Sequence, residues 1–262
     1  MKSYIYTDIS INDYEGTGNT IIFAHAFPLS SSMWRKQVDY LKNKYRIITY
    51  DIRGLGKSKF ADYQYTMETF ADDFLNIIEH IGAGKIVACG LSMGGYIIQR
   101  ALVKRPELFK AVILADTRGE RDDDNGIILR SNTIAKIKTG QKDLFFNDFS
   151  KKLIWEKNYQ NKELVSCLNE IFSKQTIEGI CGALIAMATR VNSHQFLKDI
   201  KIPCLIICGK YDVLTPLKCS EDLNKSLSNS VLKIIDNSGH LSNMENPDEF
   251  NVEVEKFLES IK

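Results

Sequence analysis

The sequence predicts an α/β fold: a mostly parallel, doubly wound sheet of eight strands with an inserted helical cap. Three observations lead to this prediction. Short, nearly continuous apolar runs recur along the chain, longer amphipathic segments separate them, and the alternation stops for a long stretch after residue 116. Such runs are typical of strands buried on both faces, and the alternation is typical of helices that connect parallel strands.

The apolar runs and the segments between them predict individual elements. Residues 3–14 alternate apolar and polar side chains, which indicates an antiparallel hairpin at the sheet edge. Residues 66–81 and 96–108 repeat apolar side chains every three or four positions, as crossover helices do, and residues 247–261 are predicted as a closing helix. The parallel strands are predicted at residues 20–24, 45–50, 85–90, 110–115, 203–208 and 230–235.

The stretch without alternation predicts the insertion. It contains no convincing strand, and its helix-like pieces lie near residues 126–138, 143–152, 162–174 and 176–191. We expect residues 1–117 and 193–262 to form one core and residues 118–192 to form a cap over the carboxyl edge of the sheet. The alternative is one unusually long crossover. The acidic run Asp122-Asp123-Asp124 is expected to be a solvated helix start, not a metal site.

Composition limits the partners and cofactors. The 34 basic and 33 acidic side chains give a net charge of +1, which removes the electrostatic case for nucleic acid or an anionic membrane as main partner. The apolar runs are too short to span a bilayer, and the first residues lack a secretory apolar segment. We therefore expect a cytoplasmic monomer or homodimer.

The six cysteines and four histidines show no metal-ligand spacing, so we expect reduced thiols and neither metal nor other cofactor.

The strongest motif is Gly90-Leu91-Ser92-Met93-Gly94, directly after a predicted strand and before a predicted helix. In this context G-x-S-x-G is the nucleophile elbow, a strained turn that presents a serine hydroxyl above a sheet edge. The positions two before and two after the serine must be nearly without side chain, and Gly90 and Gly94 meet that demand. Ser92 is the candidate nucleophile.

A serine nucleophile needs a base to take its proton and a carboxylate to orient the base. His240 is the candidate base because Asn237-Ser238-Gly239-His240 follows the last predicted strand, where a loop overhangs the carboxyl edge. Asp212 follows the penultimate strand and is the favoured acid, and Asp116, after the preceding strand, is the alternative. The chain order of serine, aspartate and histidine is the one this architecture requires.

Two backbone N–H groups are also needed where negative charge develops on the substrate oxygen. Met93, immediately after the serine, is the first candidate donor. The loop after the first parallel strand contains His25-Ala26-Phe27-Pro28. We expect Phe27 to be the second donor, since Pro28 has no N–H.

These four elements, in this order, resemble the α/β-hydrolase superfamily over essentially the whole chain. The resemblance is to the branch with 3-oxoadipate enol-lactonases, small carboxylesterases and meta-cleavage-product hydrolases. Residues 51–58 are similar to that family's turn after a strand, and Asn246-Pro247 to the start of its last helix. The resemblance implies that the insertion shapes the substrate pocket. Ala26 departs from the glycine of many members, which is expected to stiffen the loop without removing the Phe27 N–H.

The residues and the resemblance together imply a serine hydrolase that cleaves a small carboxylic ester or lactone through an acyl-enzyme on Ser92. Three alternatives remain open: a cofactor-free perhydrolase or haloperoxidase, a carbon–carbon bond hydrolase on the same triad, and a slow-turnover ligand receptor with this fold. Nucleotide binding is disfavoured, because Gly56-Lys57-Ser58 resembles the end of a phosphate-binding loop whose first glycine position holds Asp51.

The insertion supplies the candidates for substrate binding. The apolar candidates are Phe145, Trp155, Tyr159 and Met187. Aromatic and Met side chains at helical spacing also suit an ordinary core, and that alternative stays open. The candidates for binding a substrate carboxylate are Arg118, Arg121 and Arg190.

Overall fold

A computed structural model describes residues 1–59 and 65–261. Eight strands form one sheet: β1 (Lys2–Tyr6), β2 (Ile9–Asp13), β3 (Thr20–Ala24), β4 (Arg46–Tyr50), β5 (Ile86–Leu91), β6 (Phe109–Ala115), β7 (Cys204–Gly209) and β8 (Ser230–Ile235). Their order across the sheet is β1-β2-β4-β3-β5-β6-β7-β8. β2 pairs antiparallel with β1 and β4, and the remaining pairs are parallel. The predicted mostly parallel sheet is confirmed.

Helices connect the strands and cover the sheet: α1 (Arg35–Leu41), α2 (Met67–Ile81), α3 (Met93–Lys104), α4 (Asp124–Lys138), α5 (Lys142–Leu153), α6 (Lys162–Ser173), α7 (Ile177–Ala188), α8 (His194–Leu197), α9 (Leu217–Ser226), α10 (Ser242–Glu245) and α11 (Pro247–Ser260). α2 packs against α3, and α1 against α11. Among the described residues, no helix is long and apolar enough to span a membrane.

The core of the sheet lies in its central strands. Every residue of β3, β5 and β7 is buried, as expected for strands covered on both faces. β8 differs from the prediction of a doubly buried strand, since Val231 is 52% and Ile234 is 44% exposed. The reason is its place at the edge of the sheet, where β7 is its one neighbouring strand.

The four helices α4–α7 lie between β6 and β7, close to the four predicted pieces. The side chain of Asp123 accepts the Gly126 N–H and caps α4, as a helix start requires. Asp122 differs from the expectation of a solvated residue: its side chain is 9% exposed and is paired with Arg130 and Arg190. That residues 118–192 form a cap distinct from the core remains a prediction.

Candidate active site

Ser92 lies at the sharp turn between β5 and α3. Its φ of 55° and ψ of −114° are an uncommon combination for a residue with a side chain and cost about 1–3 kcal/mol. Packing enforces the turn: a Cβ on Gly90 would lie 2.5 Å from the Gly94 carbonyl oxygen, and a Cβ on Gly94 would overlap the carbonyl oxygen of Ala24. Both glycines are therefore required by close approach of backbone.

Ser92, His240 and Asp212 form one hydrogen-bonded chain. The Ser92 Oγ lies 2.8 Å from His240 Nε2, and His240 Nδ1 lies 2.8 Å from Asp212 Oδ2. An ionised carboxylate only accepts, so Nδ1 carries the proton and Nε2 accepts from the serine. All three residues are at least nine-tenths buried. The arrangement brings the candidate nucleophile, the candidate base and the candidate acid into hydrogen-bond contact.

Residues of its own loop hold the Asp212 carboxylate in place. Asp212 Oδ1 accepts the N–H groups of Leu214 and Thr215 at 2.8 and 2.9 Å, and its Oδ2 accepts the Thr215 hydroxyl at 2.5 Å. Burial opposes the charge of Asp212, but the positive charge of His240 and these hydrogen bonds outweigh burial and hold its pKa below the usual value. Burial likewise opposes protonation of His240, and the Asp212 charge outweighs it, so the pKa of His240 is raised.

Asp116 lies beside this chain but does not contact the base. Its Oδ1 accepts the Gly209 N–H at 2.7 Å, and its Oδ2 accepts the hydroxyl of Ser242. Burial and the nearby charge of Asp212 raise its pKa well above the usual value. The structure thus brings Asp212, and not the alternative Asp116, to His240.

The loop after β3 brings the second candidate oxyanion donor to the serine. Phe27 lines the same cavity as Ser92, and its N–H has no backbone acceptor among the described residues. Met93 is the first residue of α3, so its N–H lacks a partner within the helix. His25 holds the loop: its Nε2 accepts the Ile52 N–H at 2.9 Å, which leaves Nδ1 to donate to the Ala26 carbonyl at 2.9 Å.

A cavity of about 410 Å³ lies between the sheet edge and helices α4, α5 and α7. Ser92 and His240 form part of its floor. Phe145 and Phe149 stack on each other at 5.4 Å between centroids, and Phe149 meets Phe27 edge-on at 5.9 Å. The apolar side chains of its lining include Phe27, Phe145, Phe149, Leu184, Met187 and Leu214.

The lining also contains charged side chains. Arg190 lies over the Tyr96 ring and is committed to the protein, because it donates to the Glu120 and Met187 carbonyls and pairs with Asp122 at 2.9 Å. Arg118 donates to the Leu214 carbonyl. Arg121 is not among the lining residues. Among the described residues, the basic side chains of the lining are Arg118, Arg130, Lys136, Lys152 and Arg190, against Asp122 and Asp148.

Two predicted pocket residues lie elsewhere. Trp155 stacks on Tyr211 with ring centroids 4.2 Å apart and 6° between the planes. Tyr159 is 36% exposed, in the 3₁₀ turn before α6. Neither is among the residues that line the cavity, whereas Phe145 and Met187 do line it. Substrate binding by any of the four stays a prediction. The segment between α5 and α6 packs on the loops of the core, which directs Trp155 away from the cavity.

One cluster of metal-ligand types occurs in the described part of the chain: Asp116, Cys208 and Asp212. The two carboxylates hold the hydrogen bonds given above, and Cys208 Sγ donates to the Gly209 carbonyl at 3.3 Å. Burial raises the pKa of this thiol. The cluster fits a hydrogen-bonded support for the acid loop. The six cysteines are free, and four of them are buried.

Sequence reasoning missed two residues of the site. Thr215 holds Asp212 and lies 3.3 Å from His240 Nδ1. Its place three residues after the acid was an available signal. Glu245 accepts the N–H groups of Gly239 and Leu241, on either side of the base. Burial raises its pKa in spite of these hydrogen bonds, and no local motif marks it.

Comparison with known proteins agrees with this geometry. 3-Oxoadipate enol-lactonase 1 of Acinetobacter baylyi is 27% identical over 242 residues, which are 92% of this chain and 89% of that protein. A "Putative non-heme chloroperoxidase" of Synechocystis sp. is 30% identical over 263 residues, 93% and 92% of the two chains. The malate-bound structure of a thermophilic esterase from Thermogutta terrifontis has a TM-score of 0.92 at 29% identity, covering 97% of this chain and 93% of its own.

The family itself is identified by a model of the alpha/beta hydrolase fold that matches residues 19–166, more than half of the chain. The match spans the loop after β3, the turn at Ser92 and the first inserted helices. It confirms the resemblance that the motifs predicted. The chain belongs to the alpha/beta hydrolase fold family.

Proposed function

We propose that this protein is a serine hydrolase that cleaves a small carboxylic ester or lactone through an acyl-enzyme on Ser92. The observation that carries the proposal is the chain from Ser92 through His240 to Asp212, with both links at 2.8 Å, opening into the cavity. That the chain is an enzyme acting on ester bonds is supported by its family and by its esterase and enol-lactonase relatives.

In the proposed first half-reaction, Ser92 Oγ attacks the carbonyl carbon while its proton passes to His240 Nε2. The carbonyl oxygen becomes an oxyanion that accepts the N–H groups of Phe27 and Met93. The C–O bond to the leaving group then breaks, and the alkoxide takes the proton from His240. In a lactone this alkoxide stays attached to the acyl group.

In the second half-reaction, His240 removes a proton from water, which attacks the acyl carbon. The bond to Ser92 Oγ breaks, the serine regains the proton from His240, and a carboxylic acid leaves. Asp212 keeps Nδ1 protonated and stabilises the imidazolium in both halves. Protons move between Ser92, His240, the substrate and water, so the proposed reaction needs no cofactor.

The cavity supports a small substrate, because about 410 Å³ lies at the lower end of the range for small-molecule pockets, roughly 300–1,000 Å³. Its wall next to Ser92 is aromatic and aliphatic, which favours a short apolar acyl or ring group there. The basic side chains in the same lining make a free carboxylate on the substrate worth testing.

A second candidate is a cofactor-free perhydrolase or haloperoxidase, which the similarity to the Synechocystis protein favours. The same acyl-enzyme would then be attacked by hydrogen peroxide instead of water, giving a peroxy acid. Carbon–carbon bond cleavage and a slow-turnover receptor role remain alternatives from the sequence. A cytoplasmic location and a monomeric or homodimeric state also stay predictions.

A substrate panel tests the proposal. It compares p-nitrophenyl esters of increasing acyl length, lactones with and without a free carboxylate, a carbon–carbon cleavage substrate, and halide oxidation with peroxide and acetate. We expect the highest kcat/KM for a short ester or a lactone, with Ser92→Ala as the background control. Peroxide-dependent halogenation as the fastest reaction would favour the second candidate, and less than one turnover per minute on every substrate would favour a receptor.

A further inference from the structure

Glu245 lies at the end of α10, five residues after His240, and one carboxylate joins two parts of the fold. Its Oε1 accepts the backbone N–H groups of Gly239 and Leu241, at 2.8 and 3.2 Å. Its Oε2 accepts the N–H of Trp155 and the side-chain amide of Asn158, both at 2.7 Å. The first pair flanks the candidate base, and the second pair belongs to the inserted region.

Trp155 and Asn158 lie in residues 154–158, between α5 and α6, which we call the docking segment. The segment makes further contacts with the loops that carry the triad. Asn158 also donates to the Asn237 carbonyl at 2.9 Å, in the loop of the base. The Trp155 ring stacks on Tyr211, the residue before Asp212. The docking segment thus contacts the loop of the base and the loop of the acid.

Glycine at position 239 allows this close contact. A Cβ there would lie 2.7 Å from the Trp155 nitrogen and 3.3 Å from Glu245 Oε1. The φ of Gly239 is not among the positive values of the described chain, so its backbone conformation does not require a glycine. The glycine instead leaves room for the docking segment against the peptide before His240.

We propose that Glu245 is a positioning residue that fixes His240 through the peptide N–H groups on both sides of it and ties that position to the docking of the inserted helices. The proposal rests on the proposed serine-hydrolase function. Catalytic groups act within about 0.5 Å of their productive placement. Because the Glu245 carboxylate holds the peptides on both sides of His240, it determines the distance from His240 Nε2 to Ser92 Oγ.

The decisive variant is Glu245→Gln, which keeps the size of the side chain but replaces one acceptor oxygen by an NH₂ group. The NH₂ group cannot accept a hydrogen bond. Either the N–H groups that flank His240 or the donors of the docking segment therefore lose their acceptor. The matched control is Glu249→Gln. Glu249 also accepts a backbone N–H and an Asn amide, from Asp236 and Asn246, but does not contact the residues flanking His240.

The readout is the second-order rate of Ser92 labelling by a fluorophosphonate, which reports activation of the serine by its base without requiring the natural substrate. We expect Glu245→Gln to slow labelling by about 10- to 100-fold, with Glu249→Gln unchanged. The downfield proton resonance of the His240–Asp212 hydrogen bond should shift in Glu245→Gln only. A labelling rate within twofold of wild type in folded Glu245→Gln overturns the proposal.

If Glu245→Gln does not fold, Asn158→Ala decides. It removes the amide that donates to Glu245 and to the Asn237 carbonyl, and it leaves the hydrogen bonds from Gly239 and Leu241 in place. Labelling slowed at least about threefold, with a shifted proton resonance, supports the proposed link between the docking segment and the base, and an unchanged rate and resonance overturn that link. Failure of the proposed function is distinguishable: if Ser92 is not an activated nucleophile, the wild-type protein itself resists labelling, and if the substrate is not an ester or lactone, the wild type is labelled but fails on these substrates in the panel.

Discussion

His240 donates its Nδ1–H to Asp212 at 2.8 Å, and Asp116, another buried carboxyl group at this edge, contacts Gly209 and Ser242 instead. The two aspartates therefore have different expected roles. Asp212 is expected to orient His240 and to stabilise its positive charge, whereas Asp116 joins the end of β7 to the start of α10. This difference yields the first prediction.

Asp212→Asn should lower kcat/KM by about 10³- to 10⁴-fold, because the amide cannot both hold the tautomer and stabilise the imidazolium. Asp116→Asn should cost less than about 10-fold, since its remaining oxygen can still accept the Gly209 N–H. Steady-state kinetics on one activated ester measures both, with circular dichroism as the folding control. A larger loss in Asp116→Asn would assign the acid to Asp116.

The raised pKa of His240 predicts the pH dependence of activity. The base must be neutral to accept the serine proton, so kcat/KM should rise with pH and reach half its plateau above the usual histidine value of about 6.5. Removing the Asp212 charge removes the largest cause that raises this pKa, so the midpoint of the residual activity in Asp212→Asn should move to lower pH. A midpoint that stays in place in Asp212→Asn would contradict this assignment.

Gly94→Ala should destabilise the protein and abolish most activity, because the new methyl would overlap the Ala24 carbonyl beneath the elbow. Overpacking of this kind costs about 1–3 kcal/mol or more. Gly140→Ala is the matched control: its φ of 90° also strains an alanine, yet its Cβ would meet nothing within 4 Å. Thermal unfolding should show a loss of stability in both variants, with activity preserved in Gly140→Ala. Full activity in Gly94→Ala would contradict the packing of the elbow.

Phe145→Ala should weaken binding of esters with longer acyl groups. Phe145 belongs to the aromatic wall beside Ser92, and loss of one buried aromatic contact is worth about 1.5 kcal/mol, or about 10-fold in kcat/KM. Tyr159→Ala, outside the cavity, is the control. The ratio of kcat/KM for p-nitrophenyl hexanoate to that for the acetate measures the effect. An equal change of this ratio in both variants would place the acyl group elsewhere.

The parts of the site that follow from local sequence could be predicted. The glycines that its turn requires indicate Ser92. Asp212 and His240 lie in the loops after β7 and β8, and the carboxyl ends of these strands meet at one edge. Their shared position follows from the parallel order of the sheet.

The parts that depend on distant packing could not be predicted. Apolar periodicity indicates that Trp155 lies on a buried face, but whether that face meets substrate or the core is set by how the insertion docks. In the sequence, Glu245 is an ordinary acidic residue before Asn246-Pro247. Its role could not be predicted because its partner Trp155 lies 90 residues away.

The most direct test of Ser92 as nucleophile is the kcat of Ser92→Ala on the best ester of the substrate panel. Because the triad acts as a unit, kcat should fall by about 10⁴- to 10⁶-fold in a variant that remains folded. Retention of most of the wild-type kcat in Ser92→Ala would contradict the acyl-enzyme mechanism.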